Sequence, residues 1–414
     1  MSNPIVAALD IGSSKVCCII ARVHKDKKIE IIGHGYNASR GIKNGVITDI
    51  NDATYSVCKA IDTAEQNANV HINSVILNVS GDKTSSVLHN SAIKLKHNRP
   101  ISENDINKLM ENGLKTLPAN VGKERMIHCL LTNYKIDGKE DVKDPRNIYG
   151  EELSVNMLLG LYPDTTYKNL LSVTQEARLG IDNSVFSAYA SGLACLVDDE
   201  REYGATVIDI GGGTTSIATF KGGFPVAFTT IPVGGINITR DITIGLTTSF
   251  ENAENLKIRY GCAFGIESDE QDMISVYPVG EEDDSSIRSV KRSELIRIIN
   301  ARVEETFALI ALRLKALGLD NQPNHRIVLT GGCSYLKGIC NVADVILNKS
   351  SRVAYPRNIA NIPDKLNSPI FSTALGMLLF ATNNIERKPK KMTNTPEQSK
   401  SYFGKIFNWI KQNS

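Results

Sequence analysis

The alternation of apolar and polar positions repeats itself once along the chain. VAALDIGSSKVCCII (residues 6–20) and ATVIDIGGGTTSIATF (residues 205–220) each run apolar, break at Asp-Ile-Gly and a few small residues, and turn apolar again. β-Branched residues on both sides of a short polar break predict two strands joined by a tight turn. The echo predicts two related lobes. HRIVLTGGCSYLKGI (residues 325–339) adds a strand, a Gly331-Gly332 turn and a helix start. Helical spacing predicts helices over 52–68 behind the N-cap Asn51, over 165–181, 184–197 and 369–381, and over 292–317 with Gly318 as its stop. Strands mixed with helices in both halves predict an α/β protein with two sheets.

After Ala381 this pattern breaks. NNIERKPKKMTNTPEQSK is polar, holds two prolines and a basic cluster, and predicts a flexible linker. SYFGKIFNWIKQNS then resumes helical spacing. At about 100° per residue, Tyr402, Phe403, Ile406, Phe407, Trp409 and Ile410 share an arc of roughly 160°, with Gly404, Lys405, Asn408, Lys411 and Gln412 opposite. These 14 residues rise only about 21 Å, short of a hydrocarbon core of about 30 Å, so the helix is expected to lie in the plane of a membrane surface. Arg387, Lys388, Lys390 and Lys391 would add attraction to an anionic leaflet. A helix docked on the protein's own body, or on a partner, gives the same pattern.

Composition contributes exclusions. Lys and Arg total 47 against 45 Asp and Glu, a net charge of +2 that argues against a dedicated nucleic-acid binder. With 42% apolar and 22% charged residues, the chain has the balance of an ordinary globular protein. No apolar run is long enough to predict a membrane-spanning helix. MSNPIVAALDIG reads as a strand rather than a signal peptide. The eight cysteines show no CxxC and no metal or disulfide spacing, and are expected to be reduced structural residues of a cytosolic protein.

The two breaks carry the chemistry. A carboxylate at a strand end, Asp10 or Asp209, can hold a hydrated Mg²⁺ alongside phosphate oxygens. Gly12 in one turn, and Gly211, Gly212 and Gly213 in the other, let backbone N–H groups approach an anion closely. Ser13, Ser14, Thr214 and Thr215 add hydroxyls, and Lys15 would bring a point charge to a β- or γ-phosphate. There is no Walker loop and no GxGxxG opening a helix. Two Asp-Ile-Gly hairpins followed by a Thr-Gly-Gly turn resemble the phosphate 1, phosphate 2 and adenosine signatures of the actin-like ATPase superfamily. The resemblance implies two lobes facing across a cleft that binds ATP and Mg²⁺. It would set Gly331, Gly332 and Ser334 near the adenosine, Gly234 and Gly235 on the rim, and Glu254 and Lys257 against ribose and adenine. It also implies two small-residue hinge helices, matched by Ala190, Gly192 and Ala194 and by Ala374 and Gly376.

Within the superfamily, DIGGGTT, IPVGG, RSELIRIINARVEE, IVLTGG and TALGM in that order are similar to the FtsA family of bacterial cell-division proteins along nearly the whole chain. That family carries a subdomain inserted in its first lobe and ends in an amphipathic helix. The matching division here is 1–83 with 162–199 for the first lobe and 84–161 for an inserted α+β subdomain. The second lobe is 200–236 with 308–383, its outer subdomain 237–307, the linker 384–400 and the terminal helix 401–414. The resemblance implies an ATP-binding scaffold rather than an enzyme. Such a scaffold assembles into actin-like filaments on the cytoplasmic face of the inner membrane at the division septum. It holds the C-terminal tail of the tubulin-like FtsZ, here expected at Arg292, Arg297 and Arg302, and recruits later division proteins. Some positions depart from the pattern. Ser216 stands where the superfamily usually has Asp, and Cys333 where a smaller residue is usual. Lys168 and Asn169 stand where an active ATPase orients water with Glu or Gln, with Gln175 and Glu176 a turn or two further on, so slow or undetectable turnover is expected. A pilus scaffold of the PilM kind and a small-metabolite kinase of the same fold are the alternatives.

Overall fold

The echo in the sequence is an echo in topology. A computed structural model describes residues 3–385 apart from 97–98, 118–120, 122–123, 266, 281–286, 321 and 323–324; the basic cluster and the terminal helix expected from the sequence lie outside the described residues. In the first lobe the sheet order is Gly180–Phe186, Ser74–Val79, Ile5–Ile11, Lys15–Val23, Ile29–Ala38. In the second it is Ser351–Val353, Arg326–Thr330, Ala205–Ile210, Thr215–Lys221, Phe224–Ile231. In both, the hairpin is antiparallel and its first strand runs parallel to its other neighbour. These central strands read as unbroken apolar runs because both of their faces are covered. Val16 to Ala21 and Ala205 to Ile210 are buried without exception.

Helix Ile50–Ala68 begins two residues earlier than its pattern suggests. Its cap is Asp49, whose carboxylate accepts the Asp52 amide at 3.0 Å, and Asn51 lies inside the first turn. Helix Asp164–Glu176 stops short of 181 because residues Gly180–Phe186 pair with Ser74–Val79 as an edge strand. The next helix is therefore Ser187–Cys195 rather than 184–197. The long helix is Arg292–Ala316, with Gly318 behind it at φ 68°. Residues Pro369–Phe371 form a separate short turn before helix Ser372–Ile385. Helices Gly235–Leu246 and Phe250–Tyr260 have no clear pattern in the sequence, and the helix start expected after Gly332 is a short turn, Gly332–Tyr335, ahead of helix Ile339–Leu347. Among the described residues no helix is long and apolar enough to cross a membrane, and all eight cysteines are free thiols.

Helices Ser187–Cys195 and Ser372–Ile385, expected from the resemblance as the two hinge helices, cross one another between the lobes. Gly376 permits the crossing, since a Cβ there would sit 1.8 Å from the Ala190 carbonyl oxygen. The first hinge helix is tied at both ends. At its start the Asn78 side-chain amide donates to Ser187 Oγ at 3.2 Å. At its end the carbonyls of Leu193, Ala194, Cys195 and Leu196 accept from the Asn358 side chain, the Arg357 amide, the Arg352 guanidinium, and Asn358 together with Arg201. Helix ends normally leave such carbonyls without an internal partner; here residues on and after the edge strand of the second sheet supply most of the donors.

Ser85–Lys94, Glu152–Tyr162, Arg125–Ile136 and Lys139–Val142 form a separate antiparallel sheet, packed with helix Glu103–Lys115 around its own core. This inserted unit leaves and re-enters the first lobe, yet it also touches the second. Ser86 Oγ donates to the Phe228 carbonyl at 3.0 Å and accepts the Phe228 amide at 2.8 Å. Lys143 pairs with Glu202 at 2.9 Å. His128 sits fully buried at the same junction, ringed by Phe186, Tyr189, Phe228 and Phe380. Its Nε2 accepts the Phe186 amide at 3.1 Å, which assigns the ring proton to Nδ1, a nitrogen with no hydrogen-bond partner among the described residues.

Burial pushes the His128 imidazole from 6.5 down to about 3. The unfolded chain therefore binds this proton first, and stability contributed by the neutral ring is lost as pH falls from 6.5 towards about 3. His128→Leu is expected to flatten that part of the stability curve, read as urea midpoints between about pH 7 and about pH 4.5. An unchanged slope would refute this account of the junction.

Candidate functional site

The tips of the two hairpins touch. A Cβ placed on Gly212 would lie 1.8 Å from Ser14 Oγ, and one on Gly213 would lie 2.6 Å from Ser13 Oγ. The first is glycine because the opposing turn leaves no room for a side chain. Each turn is closed by the same bond: Gly12 N–H to the Lys15 carbonyl at 3.0 Å, and Gly211 N–H to the Thr214 carbonyl at 2.9 Å.

Asp10 and Asp209 are next to last in the first strand of each hairpin, and both are buried. Burial raises the Asp10 carboxyl from 3.8 to about 6; Lys15, with Nζ 3.9 Å away, opposes the rise and the Asp209 charge adds to it. Asp209 is also raised by burial, against hydrogen bonds from Ser191 and Thr373 and the charge of Lys15. Lys15 itself donates to the Ile370 carbonyl at 2.7 Å and lies 4.5 Å over the Phe371 ring. Two desolvated carboxylates of like charge are the kind of pair that a hard divalent cation relieves. The donor set fits Mg²⁺, which accepts one or two carboxylates and takes the rest of its shell from phosphate and water.

Neighbouring elements fix the turns. Asn78 Oδ1 accepts the Ile11 amide at 2.7 Å, joining the first turn to the adjacent strand. The Gly45 amide donates to Ser13 Oγ at 2.9 Å from the tip of a small hairpin, Ile42–Lys43 with Val46–Ile47. Its Asn44-Gly45 turn, with φ 50° and 74°, is the two-residue type that this dipeptide favours. The strands beside it are too short to have stood out in the sequence.

On the second lobe, the Gly235 and Ile236 amides donate to the Gly211 and Gly212 carbonyls at 2.9 and 2.8 Å, docking helix Gly235–Leu246 on the turn. Lys257 Nζ reaches Glu254 at 2.7 Å, Thr239 Oγ1 at 2.8 Å and the Gly235 carbonyl at 3.1 Å. Cys333 Sγ comes within 3.7 Å of the position a Cβ would take on Gly235. Gly331, at φ 84°, lies so close to Asp209 that a Cβ would meet Oδ1 at 2.4 Å. Gly235, Glu254, Lys257, Gly331 and Cys333 thus converge beside the second turn.

Some expected residues face elsewhere. The Thr215 hydroxyl is buried and donates to the Val233 carbonyl at 2.8 Å, and Ser334 donates to the Gly331 carbonyl at 2.7 Å; both brace turns. Lys168 pairs with Asp164 at 2.8 Å, while Glu176 accepts from Thr54 at 3.2 Å. Arg292, Arg297 and Arg302 do not form one patch, because a step of five residues turns a helix by about 140°. Arg292 pairs with Asp269 and donates to the Tyr260 carbonyl; Arg302 pairs with Asp241 and Glu305. Arg297 lines a groove of about 870 Å³ with Phe264, Ile296, Val342 and Val345 and the carboxylates of Asp269, Glu270 and Glu304. A wider groove of about 1060 Å³, lined by Leu312, Lys315, Arg326 and Lys349, includes none of the turn residues.

A family model described as "Cell division protein FtsA" matches residues 206–376, and one for the "SHS2 domain inserted in FTSA" matches residues 81–159. The cell division protein FtsA of Agrobacterium fabrum is 38% identical over 387 residues, 91% of this chain and 86% of that protein. The FtsA of Escherichia coli strain K12 is 30% identical over 99% of this chain and 96% of its own length. Among solved structures, a chain of the PilM–PilN type IV pilus biogenesis complex superposes with TM-score 0.62 at 15% identity, covering 91% of this chain and 98% of that one. MreB 5 of Spiroplasma citri bound to AMPPNP superposes with TM-score 0.54 at 14% identity, covering 93% and 99%. At such identities these two structures speak for the fold, which is that of the actin-like ATPases.

Proposed function

The chain belongs to the FtsA family of cell-division proteins, and on that premise we propose that it is an ATP-binding scaffold that ties FtsZ filaments to the cytoplasmic membrane at the septum. The buried carboxylate pair, Asp10 and Asp209, carries the nucleotide part of this reading. Both would hold Mg²⁺, which when bound would supply the positive charge that neutralises the pair and the phosphates. Backbone amides of 13–14 and 212–214, with the hydroxyls of Ser13, Ser14 and Thr214, would hold the phosphates, with Lys15 as counter-charge. Gly235, Glu254, Lys257, Gly331 and Gly332 would wall the ribose and base. Lys168, committed to Asp164, and Asn169 offer no carboxylate or Gln side chain to orient water, so hydrolysis is slow and the protein works by assembly.

The groove lined by Arg297 would seat the FtsZ tail mainly through its apolar residues Phe264, Ile296, Val342 and Val345, since Asp269, Glu270 and Glu304 also line it and offset the arginine. Residues 401–414 would lay the body against lipid, and copies of the chain would associate head to tail and recruit later division proteins. Sedimentation with anionic vesicles tests the membrane part. Full-length protein is expected to pellet, while a 1–400 truncation and Trp409→Glu stay in the supernatant. Equal pelleting of all three would refute it. A fluorescent ATP analogue that shows no Mg²⁺-dependent binding to the full-length protein would refute the nucleotide part.

A further inference from the structure

One residue from each hinge helix converges on a single oxygen of Asp209. Ser191 Oγ donates to Oδ2 at 2.6 Å and Thr373 Oγ1 donates to it at 2.8 Å. The two hydroxyls are 3.0 Å apart, and all three groups are buried, Ser191 completely. Two hydroxyls supply two protons. With both spent on the carboxylate, the Ser191–Thr373 contact has none of its own. The helices are therefore joined here through Asp209 rather than directly, one step from the Ala190–Gly376 crossing.

The other oxygen is disposed differently. Oδ1 borders Gly331 at the start of the adenosine turn. Thr330, just before that turn, bonds Ser372 at 2.8 Å, so the second hinge helix touches both the carboxylate and the turn. Donors fixed on two helices occupy Oδ2 and hold the carboxylate in one orientation, with Oδ1 beside Gly331 as its remaining oxygen.

We propose that Ser191 and Thr373 are positioning residues for the nucleotide–Mg²⁺ site, which aim Oδ1 of Asp209 at the cation and make its grip depend on how the hinge helices cross. This rests on the nucleotide reading above. Partners that orient a metal-holding group typically change metal affinity about 10- to 100-fold when removed.

The test titrates MgCl₂ into full-length protein with a fluorescent ATP analogue. Thr373→Val, which keeps the shape and loses the donor, and Ser191→Ala should each raise the Mg²⁺ concentration at half-maximal binding about tenfold. Nucleotide affinity in EDTA should change far less, and Thr373→Ser should restore the wild-type midpoint. Thr206→Val is the control: it removes an equally buried hydroxyl, bonded to Thr219 and His325 in the same sheet, and should lower the melting temperature without moving the Mg²⁺ midpoint. Midpoints for Thr373→Val and Ser191→Ala no further from wild type than that of Thr206→Val would overturn the proposal. Wild-type protein that binds no nucleotide at any Mg²⁺ concentration would instead remove the reading beneath it.

Discussion

Asp10→Asn is expected to give a more stable protein that no longer responds to Mg²⁺. Burial, with the Asp209 charge beside it, lifts the Asp10 carboxyl from 3.8 to about 6 in spite of Lys15. A raised carboxyl favours folding in its protonated form. That contribution is complete below 3.8 and is lost as pH rises through about 6, so at neutral pH the native state carries the full cost of the charge. A shift of this size corresponds to about 3 kcal/mol. Asparagine has nearly the same shape and no charge, and leaves Lys15 with its Ile370 carbonyl. A gain of about 1–3 kcal/mol is expected at about pH 7.5, measured by urea denaturation without added metal or nucleotide. The gap from wild type should close as pH falls towards about 4. An Asn variant less stable than wild type at neutral pH would contradict this. Trading stability for a charged site is common where binding needs a group the fold alone would not tolerate.

Gly376→Ala is expected to cost more than the same change at any other glycine among the described residues. The new carbon would lie 1.8 Å from the Ala190 carbonyl oxygen, 2.3 Å from its carbonyl carbon and 3.0 Å from its Cα. These are backbone atoms of the opposing hinge helix, so no side chain can rotate away. The helices must part, and the contacts buried beneath the crossing, Leu375, Met377 and Leu378 among them, part with them. Overpacking of a core usually costs about 1–3 kcal/mol, and with no yielding neighbour the loss should exceed about 3 kcal/mol. Gly222→Ala is the comparison. A Cβ there meets nothing within 4 Å, and its φ of 61° limits the cost to about 1 kcal/mol. Denaturation midpoints of the two variants that fall together would show that the close crossing is absent.

Sequence periodicity exposed what is local. The two Asp-Ile-Gly turns stood out because carboxylate, glycines and hydroxyls are adjacent in the chain, and helix Arg292–Ala316 because its apolar spacing is long. Strand Gly180–Phe186 was hidden because Ile181 is the one large apolar residue before Val185 and only the strand's end is buried. Helix Phe250–Tyr260 escaped for a related reason, since only Ala253 and Leu256 of its residues are buried. In the site, Asn78, Ser191 and Thr373 had no local signature; tertiary packing brings them to the turns, from elements whose own pattern concerns other contacts. The three arginines misled in the opposite direction. Their shared charge suggested one surface, and helix geometry with the carboxylates of Asp269 and Asp241 dispersed them.

The clasp between Ser86 and Phe228 has a mechanical corollary. Two hydrogen bonds between one hydroxyl and both backbone groups of a residue fix separation and direction together. An inserted sheet rooted in one lobe and pinned to the other cannot stay still while the lobes twist. It either breaks the pin or swings, and if it swings, its outermost strand works as a needle on a dial, sweeping a wider path than the small rotation at the pivot.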